Sequence, residues 1–159
     1  MTSLSEVRPR VSERDLHVTR AFAAPRHVVW RFWTEPMHLA SWFGPPGVSV
    51  QAGSVQVDLV EGGRWELTMV DEVTQSAHPV HGRILRLVPE EYLEIGMSAE
   101  TAAGAAEGIV LRVRFHDHGD RTRITLHQGP FTPEVRDMTA DGWRLAFSTL
   151  DTLLERNQA

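Results

Sequence analysis

From residue 48 to 128 apolar side chains return at every second position, run after run; from 133 nearly to the C-terminus they return every third or fourth. Many short strands followed by one long amphipathic helix leave few ways to bury both apolar surfaces. The strands are marked by Val48 and Val50, by Val55, Val57 and Leu59, and by Trp65, Leu67 and Met69; four more span Pro79–Leu87, Tyr92–Met97, Ile109–Phe115 and Thr122–Leu126. Their links carry turn chemistry: Glu61, Gly62 and Gly63, then Pro89 to Glu91, an Ala/Gly-rich loop over 101–108, and His118 to Asp120. Strands so closely spaced pair as antiparallel neighbours joined by hairpins. Gly129 and Pro130 end the sheet, and Thr132 (N-cap) with Pro133 (first helical position) opens the helix. Its apolar stripe is Val135, Met138, Gly142, Trp143, Ala146, Phe147, Leu150, Leu153 and Leu154. A helix of roughly 22–24 residues is about 33–36 Å long.

Upstream, Leu16, Val18 and Phe22 alternate within 15–22 as in a strand. Pro25 suits the first position of a helix carrying Val28, Val29, Phe32 and Trp33, which stops at Thr34, Glu35 and Pro36. A second short helix, Met37–Trp42, breaks at Gly44, Pro45, Pro46 and Gly47. Residues 1–13 are polar and aperiodic, an expected flexible arm, which leaves 14–157 as one domain without repeats. The expected fold is α+β: a curved antiparallel sheet of about six to seven strands wrapped around a long C-terminal helix, with two short helices after the first strand plugging one end.

At 159 residues the chain can bury a core without staples, and it has no cysteine for disulfides, thiolate metal sites or thiol nucleophiles. All 16 cationic residues are Arg, so Schiff-base chemistry and a P-loop lysine are excluded. A net charge of −5 with no basic stripe argues against nucleic acid as a partner. With neither an export signal nor a membrane-length apolar run, a cytoplasmic protein without a membrane partner is expected.

Three of the five Trp fall within thirteen residues, at 30, 33 and 42, beside Phe32 and Phe43. The stretch Phe22-x-Ala24-Pro25-x-x-Val28, with Trp33, Thr34, Pro36, Leu39, Trp42, Phe43, Gly44 and Pro45, resembles the opening of small proteins similar to the C-terminal domain of the activator of 90 kDa heat-shock-protein ATPase. These belong to the START-like (SRPBCC) superfamily of helix-grip folds. Glu61-Gly62-Gly63-x-Trp65, Gly82-x-Ile84-x-x-Leu87-x-Pro89 and Gly142-Trp143 fall where that family places similar motifs, and the resemblance covers roughly 15–156. Phe43 stands where the family usually has a second Trp. The resemblance implies a bacterial helix-grip protein with an apolar cavity between sheet and long helix. The superfamily includes lipid carriers, hormone receptors and aromatic polyketide cyclases, and fold alone does not choose among them.

The candidate cavity wall is Trp33, Trp42, Phe43, Trp65, Leu67, Met69, Met97, Met138, Trp143 and Phe147, with His81 as a polar handle and His127 as a second candidate. Aromatic rings mixed with methionines suit a malleable apolar pocket, and the expected ligand is a hydrophobic or aromatic small molecule. The gate would be the 43–47 loop, the 101–108 loop and the start of the long helix. His78 and His81 would face opposite sides of a strand and no ligand set has recognisable spacing, so neither metal nor cofactor is expected. Arg83, Arg86, Arg112 and Arg114 alternate outward opposite Glu94 or Asp58, and Glu66 also lies outside. Rival readings are a cyclase, dehydratase or hydrolase using a cavity His, Glu or Arg, and an interaction module that docks on a chaperone. The exposed sheet edge needs covering, as a homodimer would do.

Overall fold

The computed structural model of the protein describes residues 14–101 and 104–157; the arm expected at 1–13, two residues of the loop expected at 101–108 (102–103), and 158–159 lie outside the described residues. Among the described residues eight strands form: β1 (Leu16–Phe22), β2 (Val48–Val50), β3 (Gln56–Val57), β4 (Trp65–Asp71), β5 (Ala77–Val88), β6 (Tyr92–Thr101), β7 (Gly104–His118) and β8 (Arg121–Gly129). Three α-helices join them, α1 (Arg26–Thr34), α2 (Pro36–Trp42) and α3 (Pro133–Asn157). The sheet runs in the order β1-β8-β7-β6-β5-β4-β2, with β3 pairing β4 off that path. Strands β4 to β8 are successive antiparallel neighbours, and β1 closes beside β8 from Leu16↔Gln128 to Phe22↔Thr122.

One face of this sheet is apolar. Leu16, Val18, Trp65, Leu67, Val80, Ile84, Leu93, Ile95, Met97, Leu111, Val113, Phe115, Ile124 and Leu126 are all buried, as period-two alternation requires of a half-covered sheet. The curled sheet meets α3 through Ala140, Trp143, Ala146, Phe147, Leu150 and Leu154. Arg20 on β1 ties the helix down, its guanidinium 2.9 Å from Asp151 and 3.1 Å from the Ser148 hydroxyl.

Proline chemistry sets the two short helices. Pro25 is the N-cap of α1 rather than its first residue; its carbonyl accepts the Val28 and Val29 N–H groups. Glu35 precedes Pro36 and is extended at φ −96°, ψ 129°, so a single residue separates α1 from α2. Helix α3 runs 25 residues, and Thr132 Oγ1 accepts the Val135 N–H at 3.4 Å as its cap.

Three expectations change. The third strand shrinks to Gln56–Val57, preceded by a single 3-10 turn at Ala52–Ser54, and Leu59 is 40% exposed. The 101–108 loop is mostly ladder, since β6 and β7 pair out to Thr101↔Gly104; backbone pairing needs no apolar alternation, so an Ala/Gly run gives no signal of it. Met138 is 64% exposed. It sits five residues before Trp143, about 140° round the helix at 3.6 residues per turn, and faces away from the sheet.

Candidate functional site

The two short helices deliver aromatic rings into the space between sheet and α3. Trp33, near the end of α1, is fully buried and stacks on Trp143 at 5.7 Å and 19°. Its other ring neighbours are Trp42 at 5.0 Å, Phe115 at 6.1 Å and Phe147 at 6.3 Å. Phe43 lies edge-on to Trp65 at 5.5 Å and to Trp143 at 5.4 Å. Trp33, Trp42, Phe43, Trp65, Trp143 and Phe147 thus form one cluster, with buried Leu67 and Met97 beside them on the inner sheet face. Met69 is half-buried under the 43–47 loop, near Gly44. Offset and edge-to-face pairs of this kind each contribute about 0.5–1.5 kcal/mol beyond area burial.

Buried indoles need acceptors, and three have them. Trp42 Nε1 donates to the Phe32 carbonyl at 2.8 Å and Trp65 Nε1 to the Trp33 carbonyl at 3.2 Å. Trp143 Nε1 donates to Gln128 Oε1 at 2.7 Å. Trp33 Nε1 is buried and meets no acceptor among the described residues. Gln128 is 7% exposed, and its Nε2 donates to Met97 Sδ at 3.2 Å, a weak acceptor. The interior therefore holds two under-used donors within apolar walls. A buried unpaired donor costs about 1–3 kcal/mol.

Gln128 is a site residue that the sequence pattern could have shown. Thr122, Ile124 and Leu126 alternate inward on β8, and one further step reaches 128; ending the strand at Leu126 hides it.

His81 and His127 are not interior handles. Val80 and Leu126 point inward, so their neighbours point out. His81 has its side chain 64% exposed and its Nδ1 3.6 Å from Glu66 Oε2. His127 packs against His17 with ring centroids 4.0 Å apart. Burial, then His17 and Arg112, hold the His127 imidazole below its ordinary range. A histidine depressed in the folded state contributes stability that is present above its unfolded value of 6.5 and is lost as pH falls through the lower folded value. The urea midpoint should accordingly decline with acid below pH 6.5 more steeply in the native chain than in His127→Gln.

The outer face carries the expected charge pairs. Arg112 lies 3.6 Å from Glu94, which also accepts the Tyr92 hydroxyl, and Arg114 sits 5.0 Å above the Tyr92 ring. Burial and Glu94 push the Tyr92 phenol up to about 12. Asp58 pairs with Arg64 at 2.9 Å instead of with a strand arginine. Among the described residues no group of three or more His, Asp or Glu could hold a metal, and no helix is long and apolar enough to cross a membrane.

A curled antiparallel sheet gripping a C-terminal helix, with an aromatic interior between them, defines a START-like α+β protein of the helix-grip class. Solved structures share it. A protein from Chromobacterium violaceum superposes with a TM-score of 0.78 at 21% identity, over 89% of this chain and 98% of that one. The AHSA1 protein from Silicibacter pomeroyi gives 0.78 at 19%, over 90% and 99%. A protein from Nitrosomonas europaea gives 0.76 at 26%, over 94% and 99%. The chain belongs to the family described as activator of Hsp90 ATPase homolog 1-like protein, whose model matches residues 23–155. No curated protein matches it significantly.

Proposed function

We propose that the protein binds a hydrophobic or aromatic small molecule between the sheet and α3, among Trp33, Trp42, Phe43, Trp65, Trp143 and Phe147. The observation that carries this reading is the pairing of an aromatic interior with two under-used donors, Trp33 Nε1 and Gln128 Nε2. Apolar walls with a few convergent polar groups are what small-molecule sites require. Apolar burial supplies the affinity and the donors set orientation. Entry is past the 43–47 loop, where Phe43 touches both Trp65 and Trp143.

Intrinsic tryptophan fluorescence follows binding directly, because Trp33, Trp65 and Trp143 all lie in or against the site. Titration with naphthalene and 1-naphthaldehyde separates the two terms. The carbonyl compound should bind more tightly, and Gln128→Leu should weaken it about tenfold while leaving naphthalene unchanged, since one hydrogen bond is worth about 0.5–1.5 kcal/mol. Equal affinities for both compounds, unaltered in Gln128→Leu, would remove Gln128 from the reading.

A further inference from the structure

The strand register assembles a second group of residues, on the outer face of the sheet. Glu66 on β4, His81 on β5 and Ser98 on β6 point outward because Leu67, Val80 and Met97 point in. His81 is the cross-strand partner of Ser98, and Leu67↔Val80 sets Glu66 opposite His81. The Glu66 carboxylate approaches Nδ1 of the imidazole, 3.6 Å away. Residues directly opposed across a ladder hold their Cβ atoms about 4.5–5.5 Å apart, so Ser98 and His81 are side-by-side neighbours on this face. The order is acid, base, hydroxyl on three consecutive strands.

Two features make this more than a polar row. It opens on a groove of about 490 Å³, also lined by Arg83, Gly96 and Val110; small-molecule pockets span about 300–1,000 Å³. Arg83↔Gly96↔Val110 is the adjoining row, where the Leu85 side chain packs over Gly96. The β6–β7 ladder also breaks next to Ser98: Met97 pairs with Ile109 but Ala99 with Ala106, and Gly108 takes φ +70°. The Arg83 guanidinium, which lines the same groove and donates to the Gly62 carbonyl at 3.5 Å, is the donor for negative charge developing near Ser98.

We propose that Ser98, His81 and Glu66 form a hydrolytic site for small carboxylic esters on this outer face. Ser98 Oγ attacks the ester carbonyl carbon, forming a C–O bond while His81 takes the hydroxyl proton. The tetrahedral intermediate collapses by breaking the bond to the alkoxy oxygen, which leaves as the alcohol with the proton from His81. Water then attacks the acyl-Ser98 carbonyl, giving its proton to His81; the bond to Oγ breaks, the acid departs and the proton returns to Ser98. One ester and one water yield one acid and one alcohol. Glu66 is a positioning residue that orients the imidazole and stabilises its protonated form.

The full chain is treated with a fluorophosphonate probe and assayed on p-nitrophenyl acetate. The expected result is one label per chain, mapped to Ser98 by peptide mass spectrometry. Ser98→Ala and His81→Ala should each lower kcat/KM at least about 100-fold, within the usual range for a lost nucleophile or general base. Glu66→Gln should lower kcat about tenfold or more with KM within twofold, a split that loss of a merely structural contact does not produce. An unlabelled Ser98, a Ser98→Ala chain that keeps the native rate, or a Glu66→Gln chain with unchanged kcat would each overturn the site. His81 is exposed and Ser98 sits on the outer face, so these substitutions leave the buried core intact.

Discussion

Trp33→Ala is expected to lower stability by about 3–5 kcal/mol, as for other buried large aromatics cut to alanine. The ring is fully buried and lies within stacking or edge contact of Trp42, Phe115, Trp143 and Phe147. Its removal leaves a void bordered by two helices and the sheet, and side chains drawn from three elements cannot all collapse into it. A drop of that size is a large share of the roughly 5–15 kcal/mol that holds a domain together. Urea denaturation followed by circular dichroism measures it, with the midpoint falling and the slope unchanged. Trp33→Phe separates the two roles of the residue. It restores much of the packing and removes the unpartnered indole N–H, so it should recover more than half of the loss.

The second large effect is expected at Gly63, within the family-like motif ending at Trp65. A Cβ there would lie 2.0 Å from the Asp58 carbonyl oxygen and 2.8 Å from that of Val60, both backbone atoms. The same residue accepts the Ile84 N–H at 2.8 Å, which holds the turn against β5. Since no side chain can move aside, Gly63→Ala should destabilise by about 3 kcal/mol, the upper part of the usual overpacking range. Gly62→Ala is the control. Its φ is +84° but nothing lies within 4 Å, so only the left-handed backbone penalty of about 1–2 kcal/mol applies. Comparable losses from the two variants would mean that the turn relaxes and that close approach does not fix it.

These two positions also show what the sequence discloses. The tryptophans at 33, 42, 65 and 143 were legible as one interior because each lies on an element whose apolar period is plain, and those elements can bury their faces only against one another. The sheet and the long helix were legible for the same reason. The extent of a strand was less legible than its period: ending β8 at Leu126 hid Gln128, and the alternation of Thr122, Ile124 and Leu126, carried one step further, turns His127 outward beside His17. Met138 shows how far a helical stripe can be read from apolarity. It is apolar and near the stripe, yet its angular position exposes it. The row Glu66, His81 and Ser98 was invisible because its members are 15 and 17 residues apart in sequence and adjacent only through two ladders.

The central claim, that the aromatic interior takes up a hydrophobic small molecule, is tested most directly by native mass spectrometry of the protein purified from its own host, with extraction of whatever it carries. The expected result is a one-to-one hydrophobic adduct that disappears in Trp143→Ala, where the ring stacked on Trp33 and bonded to Gln128 is gone. A protein that emerges empty, and whose tryptophan fluorescence is also unmoved by a panel of aromatic and lipid ligands, would contradict it.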